Sequence, residues 1–254
     1  MSIKTHVTNG VATIEIARPE RKNALTMAMY EAMSEALHAA NEDPAVRAVL
    51  ITGQPGIFTS GNDLEDFMAR PPRDEDAPVF QFMRALLGCG KPVVAAVTGA
   101  AIGIGTTMLL HSDFVYVSDE ARLAMPFVGL GLVPEFGASL VVPRLVGQRR
   151  AAELLLLGDP FTGAQAVEYG IANAVLPAAE VLNHARRVAE RFNTLAPGAV
   201  RDSKRLVTER DRATLTAAIK EEAAIFGARL RSPEAQEAFQ AFFQKRAPDF
   251  SKFS

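Results

Sequence analysis

The chain has a single cysteine, Cys89, so it holds neither a disulfide framework nor a thiolate metal cluster. Its four histidines, His6, His38, His111 and His184, are scattered, without the spacing of a histidine-ligated metal site. Neither sign of charge is in large excess. A net charge of −2 gives no electrostatic case for nucleic acid or an anionic membrane surface as partner. The opening residues, MSIKTHVTNGVATIEIA, lack the continuous apolar core of a secretory signal, and the closing SKFS is not a peroxisomal address. One long uncharged run lies between Lys91 and Asp113, close to the roughly 20 residues of a membrane span. Its three glycines and three threonines, with Pro92 at its mouth, argue against a span. The expectation is a cytoplasmic protein with no membrane and no nucleic-acid partner.

What is present is ordinary for a globular chain: 48% hydrophobic and 22% charged residues over 254 positions, enough for a sizeable core. The stretch from Lys91 to Leu110, KPVVAAVTGAAIGIGTTMLL, organises the rest. Val93 to Val97 reads as a buried strand, and Gly103 and Gly105 alternate with Ile102 and Ile104 ahead of an apolar helical run. Glycines so placed let the backbone turn sharply and approach a ligand, with helix N–H groups directed at the turn. Two readings stay open for this pattern: a site for developing negative charge, or a strand and helix whose glycines serve only packing.

Elsewhere, alternation predicts a strand over Val11 to Ile16 and an apolar run predicts another over Val46 to Thr52. Helical spacing of Met29, Met33, Ala36 and Leu37 predicts a helix from Thr26, its N-cap. A second glycine turn, Phe58-Thr59-Ser60-Gly61-Asn62-Asp63-Leu64, leads into a helical segment. Arg70 to Pro78, rich in proline and charge, reads as an exposed loop. Short strands are expected over Phe114 to Val117, Arg122 to Met125 and Ile171 to Leu176. Helices are expected over Phe136 to Leu145 and Gln148 to Leu157, broken at Gly147. From Ala178 onward the chain reads as helical, the last helix capped by Ser232 with Pro233 at its first position. This order implies an α/β core over residues 1–195 with a helical appendage over 196–254.

The two turns FTSGNDL (Phe58 to Leu64) and VTGAAIGIGTT (Val97 to Thr107) resemble those of the crotonase, or enoyl-CoA hydratase/isomerase, superfamily. The Arg18-Pro19 segment after the first strand and the run DFVYVSDEAR from Asp113 to Arg122 fit the same family. The resemblance implies a spiral of ββα units with a C-terminal helical trimerisation region, a homotrimer or dimer of trimers, and acyl-CoA thioester chemistry. No cofactor is implied, CoA being part of the substrate. Carried over by position, the backbone N–H groups of Asn62 and Ile104 form an oxyanion hole, each donor worth about 3 kcal/mol at the transition state. The substrate and CoA contacts it implies fall on Lys22, Ala24, Ser60, Gly61, Asn62, Asp63, Leu64, Gly103 and Ile104. On its own residues, Lys22 reads equally as a solvated loop charge.

Family hydratases hold a water molecule between two glutamates. Their positions here are Thr107 and Phe127, which removes both the base that activates water and the acid that protonates the α-carbon. A carboxylate does occur at Glu135, in Leu132-Val133-Pro134-Glu135-Phe136-Gly137. That position resembles the catalytic glutamate of peroxisomal-type Δ3,Δ2-enoyl-CoA isomerases. An isomerase needs one base, which takes a proton from C2 and returns it at C4. From the local sequence alone Glu135 is a first-turn helix acid after Pro134. Its apolar neighbours raise its pKa and a helix N-terminus lowers it, and the sequence leaves the balance open. The resemblance favours an isomerase of fatty acid or related acyl-CoA metabolism, with a hydratase and a non-catalytic acyl-CoA-binding homologue as alternatives.

Overall fold

The structure, a computed structural model, describes residues 2–72 and 76–253. It begins with a hairpin. Asn9 and Gly10 are both left-handed, φ 49° and 70°, the geometry an Asn-Gly turn supplies between two strands. They join β1 (Ile3–Thr8) to β2 (Val11–Ile16), with Ile3 opposite Ile16 and Thr8 opposite Val11. β1 is absent from the sequence reading because all its residues but Ile3 are solvent-exposed, leaving no buried run to detect.

After a 3-10 turn at Pro19–Arg21 come α1 (Met27–Glu42), β3 (Ala48–Thr52), β4 (Ile57–Thr59), α2 (Leu64–Ala69), α3 (Pro78–Gly88), β5 (Val93–Val97) and β6 (Ala100–Ile102). Then follow α4 (Ile104–Thr107), a 3-10 turn at Met108–His111, β7 (Phe114–Ser118), β8 (Arg122–Ala124), α5 (Ala138–Ala152), β9 (Phe161–Thr162), α6 (Gly163–Glu168) and β10 (Ala174–Leu176). The chain closes with α7 (Ala178–Glu190), α8 (Pro197–Thr208), α9 (Arg212–Arg229) and α10 (Pro233–Phe243). The predicted caps hold: Thr26 accepts from the Met29 N–H, and Ser232 from the Ala235 N–H with Pro233 beside it.

Among the described residues the strands form two sheets, ordered β1-β2-β3-β5-β7-β10 and β4-β6-β8-β9. Each repeat lays one strand in the first sheet and the next in the second, as in β3-β4, β5-β6 and β7-β8, before helical segments return the chain. This is the α/β spiral of ββα units expected of a crotonase-like chain. The first sheet is parallel apart from its hairpin. Its central strands are covered on both faces, which is why β3 (AVLIT) and β5 (VVAAV) are buried throughout and read as unbroken apolar runs.

Three expectations need correcting. Ala100 to Ile102 is not part of a turn but a strand of the second sheet, and the helix after it spans only Ile104–Thr107 before tightening to 3-10. The helix expected from Phe136 starts at Ala138, although its break at Gly147 (φ 76°, ψ 161°) is present. The loop reading of Arg70 to Pro78 falls partly on residues 73–75, outside the described residues, and its Pro71 and Pro72 are half-buried.

The C-terminal helices do not form a separate layer. Val181, Ala185 and Ala189 of α7 cover the first sheet. Phe226 of α9 and Ala235 and Phe239 of α10 join the same buried cluster as the sheets. Phe242 and Phe243 stay in solvent, 59% and 43% exposed. No helix among the described residues is long and apolar enough to cross a membrane.

Candidate active site

The second sheet carries the site. β4, β6 and β8 run parallel and side by side, so their C-terminal ends meet along one edge. The edge delivers Ser60-Gly61-Asn62 after β4, Gly103-Ile104 after β6, and Met125-Pro126-Phe127 after β8. The two glycine turns therefore come together as the sequence reading requires.

Their approach is close. Gly61 has φ +91°, and a Cβ there would lie 2.8 Å from the Ile102 carbonyl oxygen. A side chain at this position is both strained and obstructed, at a cost of about 1–3 kcal/mol. Thr106 locks the second turn: its hydroxyl donates to the Ala101 carbonyl (2.5 Å), lies 3.1 Å from the Ala124 carbonyl and accepts from the Ala124 N–H. Ile104 is the first residue of α4, so its N–H has no intrahelical acceptor. Among the described residues no backbone oxygen accepts the N–H of Asn62 either.

The segment from Lys22 to Leu25 runs beside the first turn. Ser60 N–H donates to the Lys22 carbonyl (3.1 Å), Leu25 N–H to Gly61 (2.8 Å), and Asp63 N–H to Leu25 (2.8 Å). Asn23 is fully buried and its amide donates to the carbonyls of Ile16, Ile57 and Phe58. The Lys22 side chain is exposed and that of Ala24 half-buried. Asp63 has its carboxylate committed elsewhere: it takes the Arg18 guanidinium at 2.7 Å and the N–H groups of Glu65 and Asp66, capping α2. Those partners outweigh burial and hold its pKa below the usual carboxylate value. Asp63 and the half-buried Leu64 thus shape the turn, leaving backbone as what they offer a substrate.

Glu135 is buried, 7% exposed, and is not in the first turn of a helix. Phe136 (φ 58°) and Gly137 (φ 74°) separate it from α5 and are both left-handed. One of its oxygens, Oε1, is buried with no hydrogen-bond partner. Burial first, and then the carboxylate of Glu222, push its pKa up to about 8. The balance left open by the sequence is settled in favour of the raised direction, because the helix N-terminus that would have lowered it faces another group. That group is Glu222 of α9, which accepts from Gly137 N–H (2.6 Å) and Ser139 N–H (2.8 Å).

Around Glu135 lies a small apolar cavity of about 10 Å³ bordered by Phe67 of α2, Val79, Phe80 and Met83 of α3, and Ile219 and Phe226 of α9. It shares Phe80, Met83 and Ile219 with a larger cleft of about 350 Å³ between α3 and α9. Tyr30 meets the first turn from α1. Its hydroxyl donates to the Asn62 side-chain oxygen, and its fully buried ring packs on Phe82 with centroids 5.6 Å apart. Burial, with the charge of Glu135 second, raises the Tyr30 pKa, so the phenol stays protonated and keeps donating.

The two positions where hydratases carry glutamates are apolar or unpaired. Phe127 is buried, its ring edge 3.8 Å from where a Gly103 Cβ would stand. The Thr107 hydroxyl is buried without a partner. Tyr30, His111 and Glu222 are the residues that sequence reasoning missed. No group of acidic, histidine or cysteine side chains suited to a metal ion occurs among the described residues.

The sequence profile of the enoyl-CoA hydratase/isomerase family matches residues 6–252. Enoyl-CoA delta isomerase 2 of Homo sapiens is 32% identical over 94% of the chain, although the chain spans only 62% of that protein's length. The 1,2-epoxyphenylacetyl-CoA isomerase of Escherichia coli is 32% identical over 98% of both chains, and the crotonyl-CoA hydratase of Syntrophomonas wolfei is 32% identical over 94% of both. Among solved structures, Pseudomonas aeruginosa OdaA superposes with a TM-score of 0.93 at 55% identity, covering 95% of this chain and 98% of its own. With the profile spanning nearly its whole length, the chain belongs to the enoyl-CoA hydratase/isomerase family of acyl-CoA-processing enzymes.

Proposed function

We propose that the protein moves the double bond of a 3-enoyl-CoA to the 2-position through a dienolate held in an oxyanion hole. The observation that carries this reading is the single unpaired carboxylate oxygen of Glu135 in an apolar cavity, with Thr107 and Phe127 at the hydratase acid positions. In this mechanism the thioester oxygen lies between the N–H groups of Asn62 and Ile104. These are fixed dipoles that meet developing charge without reorganisation. Glu135 takes the C2 proton, the charge spreads onto the thioester oxygen, and the same carboxyl returns the proton at C4. Hydration needs a second carboxyl to divide water between base and acid, and neither Thr107 nor Phe127 supplies it.

The CoA portion runs along Lys22, Ala24, Ser60 and Gly61, with Asp63, Leu64 and Gly103 setting the turns. No separate cofactor enters the reaction, and the reading places it in cytoplasmic fatty acid or related acyl-CoA metabolism. The test is to incubate the full chain with a 3-enoyl-CoA and follow the absorbance of the conjugated 2-enoyl thioester. A non-catalytic acyl-CoA-binding protein gives binding and no absorbance change.

The assembly proposed is a homotrimer or a dimer of trimers. Its support is the apolar surface left on the C-terminal helices, where Phe242 and Phe243 stack edge to face, 5.7 Å between centroids, while facing solvent. Light scattering on the full chain is expected to give a trimer-based mass. Phe242→Asp, at a site outside the core, is expected to lower that mass while leaving the thermal transition within a few degrees. A wild-type monomer that binds acyl-CoA contradicts this part.

A further inference from the structure

The turn that presents Glu135 is expensive to hold. Phe136 is a bulky residue in the left-handed region, a conformation costing roughly 1–2 kcal/mol. The next residue, Gly137, is left-handed with a would-be Cβ 2.4 Å from Leu215 Cδ1. Such a turn persists only where its surroundings dictate it, and two side chains from other elements do so. His111 contacts the Phe136 carbonyl oxygen through Nε2 at 2.6 Å, its ring centroid 4.2 Å from that of Phe136. Because a carbonyl only accepts, Nε2 carries the proton; burial holds the imidazole neutral, its pKa down at about 4. From the opposite side Glu222 takes the N–H groups of Gly137 and Ser139 and the Ser139 hydroxyl.

We infer that Glu222, reaching back from α9, is a positioning residue for Glu135: it fixes the turn from Glu135 to Ser139 and sets a negative charge beside the base. The inference rests on the proposed role of Glu135. Capping α5 accounts for the bonds to the Gly137 and Ser139 N–H groups, and the same bonds hold the turn that carries Glu135, because Gly137 lies two residues after it. The groups facing Glu135 are few. Tyr30 comes from α1 and Glu222 from α9, while His111, from the 3-10 turn after α4, holds the next residue, Phe136; Tyr30 and His111 are neutral, so among the described residues Glu222 is the charge that acts on Glu135. Glu222 is itself raised by burial and, more weakly, by Glu221, against the lowering effect of its bonds to Ser139 and Gly137. Arg212 acts on His111 and donates to the Leu87 carbonyl.

The consequence is a division of labour between the spiral and its C-terminal helices. The spiral supplies the oxyanion turns and the base, and α9 supplies the charge that keeps the base strong and the hydrogen bonds that aim it. A base of raised pKa has greater affinity for the C2 proton, at the expense of being ionised in a smaller fraction of molecules at neutral pH.

The test follows the Glu135 carboxyl by ¹³C NMR titration of the full-length protein, its signal assigned by loss in Glu135→Gln, together with steady-state kinetics on a 3-enoyl-CoA. In Glu222→Gln the Glu135 midpoint is expected to fall by about one pH unit, with kcat reduced about tenfold and KM within about threefold. Glu222→Asp retains the charge and shortens the arm, so it serves if the glutamine variant does not fold: kcat is expected to fall about tenfold with KM little changed. An unchanged midpoint in folded Glu222→Gln, or kcat of Glu222→Asp within twofold of wild type, overturns the inference. The titration does not depend on turnover. If Glu135→Gln remains active, the role of Glu135 as base falls while the midpoint result still reports whether Glu222 acts on it.

Discussion

Replacing Glu135 with glutamine is expected to slow double-bond migration by about 10³-fold, or about 4 kcal/mol in the barrier. The amide fills the same space in the cavity of Phe67, Val79 and Phe136, so acyl-CoA binding should survive with KM within a few-fold. What is lost is the carboxyl proposed to take the proton from C2; the Thr107 hydroxyl is too weak a base at neutral pH and Phe127 has none. The wild-type pH dependence follows from the same carboxyl. A base must be ionised to act, and burial beside Glu222 puts the Glu135 pKa at about 8. Consequently kcat/KM should rise with pH and reach half its plateau near pH 8. Stopped assays from pH 6 to 9 on both proteins check each point, and full activity in the glutamine variant removes Glu135 from the mechanism.

The same substitution is expected to stabilise the fold. Glu135 binds its proton far more tightly when folded, at about 8 against an ordinary 4.5. Below pH 4.5 it is neutral in both states and costs nothing. Between those two values the unfolded chain ionises first, so wild-type stability falls as pH rises and levels off above about 8. Glutamine has no such term. Glu135→Gln should therefore match wild type at low pH and exceed it at pH 8.5 by the order of 3 kcal/mol, since water entering on ionisation relieves part of the burial penalty. Denaturant unfolding at pH 5 and 8.5 reads the difference directly. Equal stability at both values would mean that Glu135 ionises without penalty, in conflict with a dry pocket. A gain in stability joined to a loss of activity in the glutamine variant is the result expected of a carboxyl held for catalysis.

Much of this site was legible before folding was considered. The two glycine turns declare themselves because they need glycine for steric reasons, as Gly61 against the Ile102 carbonyl shows. Parallel strands such as β3 and β5, buried on both faces, leave continuous apolar runs. Glu135 is singled out by the family resemblance and by the absence of glutamate at Thr107 and Phe127, since its local sequence reads as an ordinary first-turn acid. The short strand β6 did not: AAI has little strand character by itself and is held by β4 and β8, far from it in sequence. Glu222 was equally hidden. It follows Glu221 on an exposed-looking helix, and only the return of α9 onto the start of α5 buries it, 85 residues from the Gly137 N–H it accepts. Tyr30 looked like one more apolar-face residue of α1, since nothing local signals a hydroxyl meeting Asn62.

The most direct measurement of the central claim is to place the wild-type protein with a 3-enoyl-CoA in deuterated water and identify the products by mass spectrometry and NMR. A single carboxyl passing one proton from C2 to C4 in a water-poor cavity predicts 2-enoyl-CoA as the first product, deuterium confined to C2 and C4, and 3-hydroxyacyl-CoA forming far more slowly. Formation of 3-hydroxyacyl-CoA at a rate equal to or above double-bond migration would contradict it, because that result requires the second acid that Thr107 and Phe127 do not provide.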